Sequence, residues 1–186
     1  SSKETSSKKT IAIEIDAHLA FGTGTHETTR MMCGAMLEHD LTGKRVLDCG
    51  TGTGILAIAA LKLGAREAVG YDIDEWSVDN ARHNAVINGV DDRLTALLGD
   101  ASILIDKVKG TFDIVMANIN RNILLADMAA FVTKMAPGAT LLLSGFFTED
   151  VPLLVAKAKE LGLTLTAQRE DQNWASLRFA NKEWKF

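Results

Sequence analysis

Short apolar runs alternate with longer amphipathic ones along almost the whole chain. Arg45–Asp48, Ala68–Tyr71, Leu94–Leu98, Phe112–Met116 and Thr140–Ser144 are compact and apolar, and each predicts a strand. Helical spacing separates them. Met31, Met32, Ala35, Met36 and Leu37 recur on one helical face in a unit that Gly43 ends. Ile55–Leu63 is apolar all round, predicts a buried helix, and is closed by Gly64. Glu75–Asn88 has a polar face and stops at Asn88-Gly89. Ile123–Met135 is helical and runs into a turn at Pro137-Gly138, and Pro152–Leu161 is a helix stopped by Gly162. Leu163–Gln168 and Trp174–Phe179 form a final strand pair. Upstream, Ile11–Ile15 suits a short strand, and the Gly- and Thr-rich loop Ala20–Arg30 leads into the first helix. Strand–helix alternation with apolar strands predicts an α/β fold: a parallel sheet covered by helices on both faces.

Such sheets bind ligands beyond the carboxyl ends of their strands, near the point where strand order reverses. Three predicted strands run into Asp48, Asp72 and Asp100, and a fourth into Asn118. Polar residues at four successive strand ends fit a site better than they fit packing. Directly after the first of these strands comes Val46-Leu-Asp-Cys-Gly-Thr-Gly-Thr-Gly-Ile55. Gly50, Gly52 and Gly54 let the backbone turn tightly and come close to a ligand. A dinucleotide fingerprint needs its third glycine one place later, where this chain has Ile55. Asp72 ends the next strand, where a carboxylate can accept both hydroxyls of a ribose. Simpler roles exist for these residues. Asp72 and Asp100 can cap helices, and so can Thr25 and Thr29. Asn118 suits a strand–helix turn, Trp174 a core aromatic position and His26 a solvated first turn.

Composition narrows the classes. The chain has 186 residues, one domain's worth, with 47% hydrophobic and 24% charged residues. Its 20 Lys and Arg against 24 Asp and Glu give a net charge of -4, with no general pull toward nucleic acid or an anionic membrane. Cys33 and Cys49 are too few for a disulfide framework, which fits a reducing cytoplasm. No apolar run is long enough to span a bilayer. Residues 1–10 carry the charge of a signal peptide's start, but Ile11–Ile15 is interrupted by Glu14 and too short for its apolar core, so 1–10 read as a flexible tail or linker remnant and 11–186 as one domain. No second clustered His or Cys stands at ligand spacing, so no metal site is expected.

The Gly-x-Gly-x-Gly spacing resembles that of S-adenosylmethionine-dependent methyltransferases. The loop Ala20-Phe-Gly-Thr-Gly-Thr-His-Glu-Thr-Thr29 makes the likeness more specific. Together with Gly54–Ala65, Asp72-Ile-Asp74, Asn84–Gly89, Ala117-Asn-Ile119 and Leu143-Ser-Gly145, it is similar to the ribosomal protein L11 methyltransferase family, over about residues 11–179. The resemblance implies a Rossmann-like, doubly wound, mostly parallel seven-stranded sheet with a C-terminal antiparallel pair. It implies methyl transfer from S-adenosyl-L-methionine to lysine side-chain or N-terminal amines of ribosomal protein L11. Thr29, Gly50, Asp72 and Asn118 would contact the cofactor, with Gly52 in its glycine loop and Asp100 near the adenine amino group. Phe21 and Thr25 would lie near its methionine end. Asn118 would also orient the amine, with His26 and Trp174 on the substrate side. Two departures stand out. The family's separate N-terminal domain for recognising its protein substrate has no counterpart in these residues. The usual Asn-Ile-Leu-Ala-x-Pro-Leu reads Asn118-Ile-Asn-Arg-Asn-Ile-Leu124, with Ile123 in place of the proline. Two alternatives stay open: a related methyltransferase for another protein lysine or a small molecule, and a non-catalytic cofactor-binding module.

Overall fold

A computed structural model describes residues 26–182. The strand predicted at Ile11–Ile15, and the site candidates Phe21 and Thr25, lie outside these residues. Seven strands form one sheet: β1 (Arg45–Cys49), β2 (Glu67–Asp72), β3 (Leu94–Leu98), β4 (Phe112–Asn118), β5 (Met135–Phe147), β6 (Thr164–Asp171) and β7 (Trp174–Ala180). Their order is β3-β2-β1-β4-β5-β7-β6. The first five pair in parallel, while β7 runs antiparallel between β5 and β6. This is the expected doubly wound sheet with its C-terminal antiparallel pair. Strand order reverses between β1 and β4, so a crevice opens where Cys49 and Ala117 pair at their carboxyl ends.

Side chains alternate across each strand and feed two cores. Leu47, Val115, Leu141 and Leu143 pack on one face with α5 (Arg121–Thr133) and α6 (Val151–Glu160). Val46, Ile114, Met116 and Leu142 pack on the other with α1 (His26–Leu37) and α2 (Ile55–Lys62). Leu56–Leu61 of α2 is wholly buried, as its unbroken apolar run requires. The third helix on this face, α3 (Glu75–Ile87), is capped by Asp74, whose carboxylate accepts from the Trp76 backbone N–H at 3.2 Å. Asp72 is therefore not the cap. The β6–β7 turn is tight, with Gln172 and Asn173 at φ 48 and 70, as a two-residue hairpin demands.

The largest departures from expectation lie around α5, β5 and the segment after β3, while β6 runs on to Asp171, three residues past the expected Gln168. The helix expected at 123–135 is α5, which starts two residues earlier because Asn120 caps it, accepting from the Ile123 N–H at 3.0 Å. Met135 belongs instead to β5. Pro137-Gly138 does not turn the chain out of the sheet. It lies in a bulge, where the pairing passes from Phe112–Met135 to Ile114–Thr140, so that two steps along β4 match five along β5. A four-residue helix, α4 (Ile103–Asp106), follows β3 and is too short to leave a periodic signal.

Candidate active site

A cavity of about 850 Å³ opens over the carboxyl ends of the central strands. That volume suits a ligand of several hundred daltons. Thr29, Gly50, Gly52, Asp72, Asp100 and Asn118 all line it, so the structure brings together every described cofactor-site candidate. His26 and Trp174 are not among its described lining residues. His26 is exposed at the first position of α1. Trp174 stacks on Phe147 at 4.4 Å between ring centroids, where the ends of β5 and β7 meet.

The glycine loop is shaped by the strands around it. Gly50 and Thr51 both donate their backbone N–H to the Tyr71 carbonyl at 2.9 Å, which folds the loop back over β2. Gly52 sits at φ +54, and a Cβ there would meet nothing within 4 Å. Its missing side chain therefore leaves open space for a ligand to approach the backbone. Asn84, buried on α3, reaches across to donate to the Thr53 carbonyl at 2.8 Å and fixes the loop's far end.

Asp72 ties two parts of the site together. One carboxylate oxygen accepts from Gly52 N–H at 2.9 Å, and the other from Asp74 N–H at 3.0 Å. A carboxylate has about four acceptor positions, so two remain for a ligand's hydroxyls. Asn118 ends β4 with its Oδ1 buried and without a hydrogen-bond partner among the described residues. An unmet buried acceptor costs about 1–3 kcal/mol, and a ligand donor is the natural remedy.

Charge separates the ligand classes. Asp48, Asp72, Asp74, Asp100 and Asp127 all line the cavity, and no Lys, Arg or His does so among the described residues. Five carboxylates without a counter-charge repel a pyrophosphate and attract a cation. Among the described residues, no group of three or more His, Cys, Asp or Glu is placed to hold a metal ion. No described helix is long and apolar enough to cross a membrane.

Asp48 was legible as a strand-end carboxylate but did not stand out as a site residue. It is 1% exposed, accepts from the Thr51 hydroxyl at 2.8 Å, and lines the cavity floor. Burial, opposed by the Thr51 hydrogen bond and reinforced by the Asp72 charge, pushes its carboxyl up to about 6. Unfolded, the same group titrates near 3.8, so between the two values the folded protein binds more protons. Stability from this group therefore falls as pH rises through about 6, and the cost vanishes below about pH 4. Asp48→Asn, which keeps the acceptor for Thr51, should stabilise the free protein by about 1–3 kcal/mol at pH 8 and by little at pH 4. Thermal unfolding at the two pH values checks this; an equal change at both contradicts it.

A family model described as ribosomal protein L11 methyltransferase (PrmA) matches residues 1–182. The ribosomal protein L11 methyltransferase of Porphyromonas gingivalis is 53% identical over 165 residues, covering 89% of this chain and 56% of the relative. That of Bacteroides fragilis is 48% identical over 167 residues, covering 90% and 59%. A crystal structure of a ribosomal protein L11 methylase from Lactobacillus delbrueckii subsp. bulgaricus aligns with a TM-score of 0.84 at 31% identity, covering 92% of this chain and 86% of that one. The chain thus spans a little over half the length of these two curated relatives.

Proposed function

Since the chain belongs to the ribosomal protein L11 methyltransferase family, we propose that it moves a methyl group from S-adenosylmethionine to an amine of ribosomal protein L11. The observation that carries this reading is the orphaned Asn118 Oδ1 in a cavity walled by carboxylates and lacking a described cation. A sulfonium cofactor bearing an ammonium group suits those walls, and a nicotinamide dinucleotide with two phosphates does not.

The residues present fit such a cofactor. Asp72 keeps two acceptor positions for the ribose hydroxyls, and Gly52 leaves the backbone open beside it. Asp100, at the end of β3, accepts from the Ser102 N–H at 2.9 Å and retains capacity for the adenine amino group. The first turn of α2 lacks a side-chain cap at Gly54, which leaves N–H groups for a ligand carboxylate. Thr29 on α1 lines the same cavity.

When bound, S-adenosylmethionine supplies a methyl group already activated by its sulfonium, so the protein's task is positioning. Alignment of reacting groups can contribute about 7–11 kcal/mol. An alkyl amine must be neutral to attack, and free lysine titrates near ~10.4. Asn118 Oδ1 accepts from that amine and fixes its approach. Carboxylates such as Asp127 at the rim favour the arriving ammonium, which then gives its proton to water. A ribosomal protein as substrate places this activity in the cytoplasm, with neither nucleic acid nor membrane as a direct partner.

Asn118→Ala should lower the transfer rate about tenfold, the worth of one lost hydrogen bond, and cofactor affinity by less. Single-turnover rates and calorimetry separate the two effects; full rate with full affinity removes Asn118 from the site. The activity itself is tested by mass spectrometry of purified ribosomal protein L11 after incubation with methyl-labelled S-adenosylmethionine. The Porphyromonas gingivalis relative serves as the positive control. Label on lysine or N-terminal amines supports the proposal; label with the relative alone contradicts it for these residues.

A further inference from the structure

The stretch after β4 carries polar groups that the reading above leaves without a role. It is also where the sequence departs from the family's usual run, with Arg121 standing at its alanine. Asp150, just ahead of α6, is 6% exposed and accepts from two directions. One carboxylate oxygen takes the Arg121 guanidinium at 2.8 Å, and the other takes the Phe147 N–H, at the end of β5, at 3.1 Å. Arg121, so anchored, donates its Nε–H to the Asn122 Oδ1 at 3.2 Å. A guanidinium only donates, so it settles which way the Asn122 amide faces: the oxygen is taken, and the NH2 group is left to donate. Asn122 lines the cavity together with Asn118 and Ile123. The charged and orphaned groups of the cavity walls are acceptors, five carboxylates and the Asn118 Oδ1, and these suit the cofactor's cation and the incoming amine. A donor held beside them calls for an acceptor on the ligand. An amine borne on a peptide brings one in its backbone carbonyls; a free alkyl amine does not.

We propose that Asn122 is a specificity-determining residue whose amide NH2 donates to a backbone carbonyl of the segment bearing the reacting amine, with Arg121 and Asp150 as the positioning residues that hold it so. The inference rests on amine methylation of a protein as the reaction and names how a peptide-borne amine is told from a free one. Asn118 takes the amine, and Asn122 takes the chain behind it. An alkyl amine without a carbonyl leaves the Asn122 donor unmatched and gains less from the site.

The test is steady-state methylation of purified ribosomal protein L11 by the whole chain, with calorimetry on S-adenosylhomocysteine and thermal unfolding alongside. Asn122→Asp keeps the acceptor for Arg121 and removes the donor. It should raise KM for the protein about 3- to 10-fold, the worth of one hydrogen bond, and leave kcat within about twofold. Arg121→Lys keeps a cation for Asp150 but lacks the rigid fork that reaches Asn122 at the same time, so the amide turns freely. It should raise KM about 2- to 5-fold, with the unfolding temperature within about 2 °C of the unaltered protein. Affinity for S-adenosylhomocysteine should stay within about twofold in both variants. A merely structural ion pair leaves KM where it was. An unchanged KM in either variant, or a loss that falls on S-adenosylhomocysteine affinity instead, overturns the inference and leaves the cofactor reading standing. An unaltered chain that binds S-adenosylhomocysteine but leaves the protein unmethylated overturns the acceptor reading, and this inference with it.

Discussion

Asp72→Ala should weaken S-adenosylmethionine binding by about a hundredfold or more. Two ribose hydroxyls would lose a charged acceptor, and each such bond is worth about 1.5–3 kcal/mol. The substitution also releases the Gly52 and Asp74 N–H groups, held at 2.9 and 3.0 Å. Both groups sit at the cavity and can turn to water, so the free protein should lose only about 1–2 kcal/mol. Asp74→Ala is the matched control. It removes the α3 cap, at about 1 kcal/mol of stability, and touches ligand affinity much less. Calorimetry and thermal unfolding on both variants decide the matter: equal affinity losses make Asp72 a scaffold residue rather than a ligand contact.

Gly145→Ala should lower the unfolding temperature by about 10 °C or more. Gly145 lies at φ +96 on β5, where an L side chain is strained by about 1–3 kcal/mol. The space is also occupied. A Cβ would stand 2.7 Å from both the N and O of Ile119, which are backbone atoms and cannot swing away. Ile119 is anchored there by its N–H, which donates to the Ser144 carbonyl at 3.0 Å. In a chain of this size each kcal/mol shifts the midpoint by about 2–4 °C, and the two costs together reach several kcal/mol. The same close approach sets Asn118, the residue before Ile119, against Ser144 in register. Surviving folded protein should therefore bind cofactor poorly as well. An unfolding temperature within about 2 °C of the unaltered protein contradicts this account of how β5 holds Asn118.

The parts of the site that sequence revealed are those set by backbone geometry. Gly50, Gly52 and Gly54 directly after a strand, with Asp72 at the end of the next, have few other physical explanations, and the structure gathers Gly50, Gly52 and Asp72 in one cavity. The parallel sheet was legible for the same reason, since apolar strands and amphipathic helices alternate at readable lengths. What stayed hidden depends on packing between distant elements. Asp127 is one more polar residue on α5 until that helix crosses the cavity. Tyr71 reads as a strand aromatic until the fold sets it in the cavity wall. The start of α5 was missed because Asn120 looked like loop and proved to be a cap, and the Pro137-Gly138 bulge because both residues usually mark turns.

The most direct measurement is calorimetric titration of the purified chain with S-adenosylmethionine, S-adenosylhomocysteine and NAD. Five cavity carboxylates and an orphaned Asn118 oxygen predict saturable, one-to-one binding of both sulfur compounds at micromolar concentrations and no heat with NAD. Binding of NAD in place of the two sulfur compounds would contradict the account, because the cavity would then hold a pyrophosphate against carboxylates that should expel it.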